Sequence, residues 1–165
     1  MPYWGLVVTS DRVREKPQED RVTPLVQEAL RRAGEALVYR SIVGNNPVDI
    51  LYAVLSALEA GADIVLVTGG TGPGPRDISA DLVARLADRE LPGVGEEFRR
   101  RSLEKGVKHA LLSRAAAYTF TDRLIVVSPG NPDAVSTMLS ILLPVAQHLV
   151  DQLRGKKHQP PRGQV

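Results

Sequence analysis

Asp63-Ile-Val-Leu-Val-Thr-Gly-Gly-Thr-Gly-Pro-Gly-Pro-Arg-Asp-Ile-Ser-Ala-Asp81 is the stretch on which the fold turns. Ile64 to Val67 is a short, unbroken apolar run, the pattern of a parallel strand covered on both faces. Gly69, Gly70, Gly72 and Gly74 follow at once. Glycine adopts positive φ without strain and lets a ligand approach the backbone amides, so the loop reads as an anion cradle. Beyond it, Ser79 to Ala87 reads as a helix, with Ser79 or Asp77 as its N-cap.

Two familiar phosphate loops do not fit. Gly69 and Gly74 have the spacing of the P-loop glycines, but Pro75-Arg76 stands where that motif needs Lys followed by Ser or Thr. Counting from Gly72-Pro73-Gly74, the dinucleotide fingerprint requires a third glycine where Asp77 sits. A plain Gly/Pro turn is the remaining alternative; the strand before and the helix after favour the cradle.

Outward from this stretch, strand and helix patterns alternate. Strands are expected at Gly5 to Thr9, Ala36 to Val43 and Leu124 to Val127, with one or two short ones between Ala110 and Phe120. Helices are expected at Thr23 to Arg32, from Pro47 to Gly61 with an apolar stripe of Ile50, Leu51, Val54, Leu55 and Leu58, at Gly93 to Lys105, and as one long helix from Ala134 to Leu153. This predicts an α/β fold of three layers, α/β/α, around a mainly parallel sheet that binds ligands outside its carboxyl ends. Three loops should meet there: Thr9-Ser10-Asp11, Thr68 to Asp77, and Ser128 to Asn131.

At 165 residues and 43% hydrophobic, the chain suits one domain, expected over 1–153, with a basic, flexible tail over 154–165. The absence of cysteine excludes disulfides and thiol chemistry. The net charge of +2 resides in the tail, where Arg154, Lys156, Lys157 and Arg162 meet no acid. The body is therefore slightly acidic and, with few aromatic residues, is not expected to bind nucleic acid. No signal-peptide pattern and no apolar run of about 20 residues is seen, so a cytoplasmic protein without membrane association is expected. The adjacent Arg99, Arg100 and Arg101 must spread over different helix faces. His109, His148 and His158 make no metal-ligand spacing.

Thr68-Gly-Gly-Thr-Gly72 with Arg76-Asp77, then Leu91-Pro-Gly-Val-Gly-Glu-Glu-Phe98, then Ser128-Pro-Gly-Asn-Pro132, resembles the molybdenum cofactor biosynthesis proteins of the Mog and MoaB type and the related domain of gephyrin. The resemblance runs from Val7 to about Leu153. It implies the fold of that family and adenylylation of molybdopterin by MgATP, in a homotrimer or homohexamer that serves other molybdenum cofactor synthesis proteins. It also implies the roles of individual residues. Thr68, Gly69, Gly70, Thr71 and Gly72 hold nucleotide or molybdopterin, as do Ser10 and Asp11 of the first loop and Pro129, Gly130 and Asn131; Ser102 lies near the pterin phosphate.

By the same resemblance Asp77 is catalytic and holds Mg²⁺; from the residues alone it could equally be a helix N-cap. Asn45, in Val43-Gly44-Asn45-Asn46, stands where an aspartate sharing that metal is expected. An amide oxygen still ligates Mg²⁺ but brings no charge, which weakens the metal. Two rival readings follow: a molybdopterin-binding protein with little turnover, and a nucleotide pyrophosphatase akin to the domain of competence-damage proteins.

Overall fold

The computed structural model describes residues 1–156. Its elements in chain order are β1 (Tyr3–Thr9), α1 (Asp11–Glu15), a 3-10 turn (Pro17–Glu19), α2 (Val22–Ala33), β2 (Ala36–Val43), α3 (Pro47–Glu59), β3 (Ile64–Thr68), α4 (Ser79–Leu86), β4 (Arg89–Glu90), α5 (Pro92–Glu104), a second 3-10 turn (Lys108–Leu112), β5 (Ala116–Phe120), β6 (Arg123–Ser128), α6 (Pro132–Leu142) and α7 (Ala146–Leu153). Six strands form one sheet in the order β2-β1-β3-β6-β5-β4. The first four run parallel, and β5 and β4 add an antiparallel edge. The expected three layers are present.

Period-two alternation divides each central strand between two cores. Leu6, Val8, Ile64, Leu66, Leu124 and Val126 face α2, α5, α6 and α7. Val7, Val65, Val67, Ile125 and Val127 face α3 and α4. All five residues of β3 are buried, which is why its sequence reads as a solid apolar run rather than an alternating one.

Two expectations need correction. The apolar stripe of α3 is rotated: Ile50, Ala53, Val54 and Ala57 are buried, whereas Leu55 is exposed, because the small Ala53 and Ala57 let the helix lie close to the sheet. The long final helix is two helices meeting at 63°. Pro144, in the break between Leu142 and Ala146, lacks the N–H that would continue α6 and clashes with the preceding turn. Of the one or two short strands expected between Ala110 and Phe120, one is present, β5, and it is preceded by the 3-10 turn of residues 108–112. The helices α1 and the short β4 were not foreseen.

Among the described residues no single helix is long and apolar enough to cross a membrane. Of the tail expected over 154–165, Arg154, Gly155 and Lys156 are held against α7, and Lys157, His158 and Arg162 lie outside the described residues. Arg154 reaches the amino-terminal edge of the sheet, where its guanidinium pairs with Asp63, a carboxylate only 1% exposed. The same carboxylate accepts from the N–H of Tyr3 at 2.8 Å and lies 3.9 Å from Arg123. Asp63 is the shared acceptor of the Tyr3 N–H and of both arginines, so deleting it takes the acceptor from several buried or half-buried donors at once, whereas losing Arg154 leaves Asp63 still bonded to Tyr3 and close to Arg123. Asp63→Ala is therefore expected to destabilise the fold by about 3 kcal/mol in urea unfolding, and Arg154→Ala, whose side chain is partly solvated, by about 1 kcal/mol.

Candidate functional site

The parallel strands β2, β1, β3 and β6 present their carboxyl ends at one rim. From β1 the chain moves outward to β2, and from β3 it moves the other way to β6, so a crevice opens between β1 and β3. Gly69 makes the first turn out of β3 with φ +100°, and a Cβ there would collide with the Thr9 carbonyl and hydroxyl. Only glycine satisfies both constraints. Its N–H donates to Ser128 O at 2.8 Å, and Thr9 Oγ1 donates to Thr68 O at 2.9 Å, tying the ends of β1, β3 and β6 together.

Past this knot come three consecutive amides, those of Gly70, Thr71 and Gly72, that donate to nothing among the described residues. The Thr68 hydroxyl is fully buried and has no hydrogen-bond partner. Buried polar groups are nearly always paired, so the Thr68 hydroxyl is the exception to explain, and the amides of Gly70, Thr71 and Gly72 beside it are donors open to a ligand or water.

Asp77 folds back on the loop: its Oδ2 accepts from the Gly74 N–H at 3.0 Å, and its own N–H donates to Gly74 O at 3.1 Å. A Cβ on Gly72 would lie 2.6 Å from that carboxylate oxygen. The expected N-cap role fails for both candidates. Ile78 occupies the cap position of α4 without a side-chain bond. Ser79 is buried beneath Gly70, with its hydroxyl 3.4 Å from that of Thr9.

Asp11 links two loops. Its Oδ1 accepts from the Asn45 N–H at 3.0 Å, and its Oδ2 pairs with Arg76, the neighbour of Asp77. The Asn45 hydrogen bond, then the Arg76 charge, hold the Asp11 carboxyl below its ordinary range. Asn45 and Asp77 are thus brought to the same side of the rim. Ser10 caps α1 by accepting from Val13 N–H at 3.2 Å, and Asn131 caps α6 by accepting from Ala134 N–H at 2.8 Å.

Two cavities flank the rim. One, of about 710 Å³, is lined by Thr9, Ser10, Thr68, Gly130 and Asn131 together with Gln18 to Val22. The other, of about 260 Å³ and largely apolar, is lined by Thr71, Gly72, Phe98, Ser102, Pro129, Asn131 and Thr137, with Lys105 and His109 at its edge. Asn131 belongs to both. Thr68, Ser10, Gly130 and Asn131 thus meet in the first cavity; Thr71, Gly72, Ser102 and Pro129 meet in the second. Asp77, Asn45 and Asp11 line neither.

Among the described residues no three His, Asp or Glu side chains gather as a metal cluster. Mg²⁺ commonly needs only one or two protein oxygens, the rest coming from phosphates and water. Asp77 Oδ1 and the Asn45 side-chain oxygen, neither hydrogen-bonded within the described residues, are hard donors of that kind.

The sequence reading missed two contributors. Asp20 accepts from Val22 and Thr23 N–H, each at 3.0 Å, and from Arg40 at 2.9 Å, which fixes the wall of the first cavity. Burial pushes its carboxyl upward, but the bonds from Thr23, Arg40 and Val22 outweigh that and leave it below the ordinary value. The sequence Asp20-Arg-Val-Thr23 does carry a capping signal. Arg114, which grips the glycine loop from behind, carries none.

A family model described as a probable molybdopterin binding domain matches residues 5–148. The chain is 36% identical over 155 residues to a molybdopterin adenylyltransferase of Pyrococcus furiosus, covering 92% of this chain and 90% of that one. It is 32% identical over 158 residues, 96% of its length, to a molybdenum cofactor biosynthesis bifunctional protein of Synechococcus elongatus, and spans only 49% of that longer protein. Among solved structures, the tungsten cofactor synthesizing protein MoaB from Pyrococcus furiosus superposes with a TM-score of 0.83 at 35% identity, covering 93% of this chain and 98% of that one.

The Gly69 geometry makes a direct prediction. Gly69→Ala is expected to destabilise the protein by about 2 kcal/mol or more in chemical unfolding, through both positive φ and collision with Thr9. Gly93→Ala, in the first turn of α5 with open space around it, should instead stabilise by about 0.5 kcal/mol.

Proposed function

Because the chain belongs to the family of probable molybdopterin binding domains, we propose that it adenylylates molybdopterin with MgATP in cofactor biosynthesis. The observation that carries this reading is the set of open donors, the amides of Gly70, Thr71 and Gly72 and the buried Thr68 hydroxyl, standing between two cavities of different character. Backbone amides at such a rim suit phosphate oxygens. The larger, polar cavity receives the nucleotide beside Thr68, Gly130 and Asn131. The smaller, apolar one receives the pterin, with Ser102 near its phosphate.

In this reading the terminal phosphate of molybdopterin attacks the α-phosphorus of ATP. A P–O bond forms there as the bond to the bridging oxygen breaks, and pyrophosphate leaves. A phosphate is already ionised at neutral pH, so no general base is needed; the task of the protein is to hold both substrates in line and offset their charge. Gly70 to Gly72 orient the transferring phosphates through their N–H groups. Asp77 and Asn45 would hold Mg²⁺, which supplies charge neutralisation between phosphate oxygens. Arg76, now paired with Asp11, is within the same loop and adds positive charge at its outer edge.

A second reading draws on Asn45: with an amide in place of a carboxylate, the protein binds molybdopterin and turns over slowly. A nucleotide pyrophosphatase is a third, and hydrolysis of ATP without pterin would support it. Assembly into a trimer or hexamer, a cytoplasmic location and service to other cofactor-synthesis proteins belong to the first reading; sedimentation velocity tests the assembly. The decisive measurement is pyrophosphate release from ATP as a function of molybdopterin. Release should require the pterin, Asp77→Ala should lower it about a hundredfold or more with the fold intact, and Asn45→Asp should raise it. Equal turnover in all three proteins would remove Asp77 and its metal from the mechanism.

A further inference from the structure

We infer that Arg114, a residue outside every motif quoted above, is the positioning residue that presets the glycine loop for its anionic ligand. The inference rests on the nucleotide reading just given and assigns a residue to it. Three carbonyls of the loop and its exit are received by this one amino acid. The Arg114 N–H donates to Thr71 O at 2.8 Å. Its guanidinium straddles the loop, with Nε and Nη2 donating to Gly72 O at 3.1 and 2.8 Å and Nη2 also to Asp77 O at 2.7 Å. The third nitrogen, Nη1, is anchored on Asp81 Oδ1 of α4 at 2.6 Å. That bond leads the causes holding the Asp81 carboxyl below its ordinary value.

Peptide planarity turns these bonds into orientation. In a trans peptide the C=O of one residue and the N–H of the next point in opposite directions. Drawing Thr71 O toward Arg114 therefore aims the Gly72 N–H away from it. Gly72 O, the lone pairs of which would repel a phosphate, is pulled to the Arg114 side as well. Asp77 is held at the other end of the span through its own carbonyl.

Arg114 is itself braced: Arg99 Nη1 donates to Ser113 O at 3.2 Å and Ala115 O at 3.0 Å, fixing the backbone on either side. Most of its own N–H groups are consumed by these contacts, which argues for positioning rather than direct contact with phosphate. A loop with four glycines otherwise costs about 1 kcal/mol or more per residue to order when the ligand arrives, and ordering it beforehand raises affinity and rate.

The test uses the full chain and compares MgATP binding by calorimetry with molybdopterin-dependent pyrophosphate release for wild type, Arg114→Ala, Arg114→Lys and Asp81→Asn, alongside thermal unfolding. Arg114→Ala is expected to weaken MgATP and lower kcat by about tenfold or more each, and, because Thr71 and Gly72 also line the smaller cavity, to raise KM for molybdopterin as well. Lysine should restore little, since a single nitrogen cannot reproduce the planar fork by which three guanidinium nitrogens reach Gly72 O, Asp77 O and Asp81 together. Guanidinium ion at a non-denaturing concentration should restore part of the MgATP affinity of Arg114→Ala, which a general loss of folding would not do. Asp81→Asn, the milder change, should give an intermediate loss. If Arg114→Ala binds MgATP as wild type does, or loses affinity only as its folded fraction falls and without rescue, this inference alone is overturned. A wild-type chain with no affinity for MgATP would overturn the nucleotide reading and the inference with it.

Discussion

The contact of Gly69 with Thr9 governs the architecture of the rim. Two parallel neighbours, β1 and β3, end side by side and must send their chains in opposite directions. A residue with a side chain at the first turn of β3 would push the strands apart or force the loop outward. With glycine there, Thr9 Oγ1 bonds to Thr68 O and Gly69 N–H bonds to Ser128 O, and the three strand ends close into one edge. The next three amides then have no chain of their own to pair with. The open donors are thus a consequence of how tightly the strands close, and the same closure keeps Thr68 Oγ1 buried without a partner. A small stability cost at the rim is tolerated where a ligand supplies the missing acceptor.

Much of the charge around the rim is arranged in opposing pairs. Arg76 is paired with Asp11, Arg114 with Asp81, and Arg40 with Asp20. An anionic ligand here would meet paired cations and neutral amide dipoles, together with Lys105 of the smaller cavity, which donates to the Thr137 hydroxyl, and Arg21 of the larger, neither of which has an acidic partner among the described residues. The adjacent arginines of α5 follow the same economy. Arg99 turns inward to the carbonyls of Ser113 and Ala115, while Arg100 and Arg101 share Glu97 on the surface and hold its carboxyl down to about 2. They occupy different faces, as three successive positions on a helix must.

Much of this was readable from the chain because its causes are local. The run Ile64 to Val67 shows burial on both faces, Gly69 and Gly70 take the positive φ that the glycine loop suggested, and Pro47 marks a helix start at the position observed, whereas α6 begins at Pro132, two residues before the expected Ala134. What escaped depends on partners far away in sequence. Arg114 meets Gly72 across 42 residues, and nothing in Leu112-Ser113-Arg114-Ala115 announces it. Leu55 looks like core until Ala53 and Ala57 set how closely α3 lies on the sheet. Pro144 was a local signal, overridden in the reading by an apolar pattern that continues past it. Asp77 illustrates a different limit: a carboxylate before a helix suggests a cap, but the Gly72–Gly74 turn offered its N–H first.

The two cavities give the rim its chemical direction. Joining two phosphorylated molecules requires that their reacting groups meet while their bodies do not, and a single pocket would make them compete. Asn131 lies in the wall of both cavities, and Gly72 and Thr71 border the smaller while Thr68 borders the larger. The segment from Thr68 to Gly72 therefore borders both cavities, with Thr68 toward the larger and Thr71 and Gly72 toward the smaller. The amides of Gly70, Thr71 and Gly72 find no acceptor among the described residues, so this segment is held by contacts made from outside the two cavities. The carbonyl grip of Arg114 and the Asp77–Gly74 turn supply that hold from behind. Separate cavities, a shared edge and an external brace are then one design: each follows from placing phosphate donors on a bare backbone.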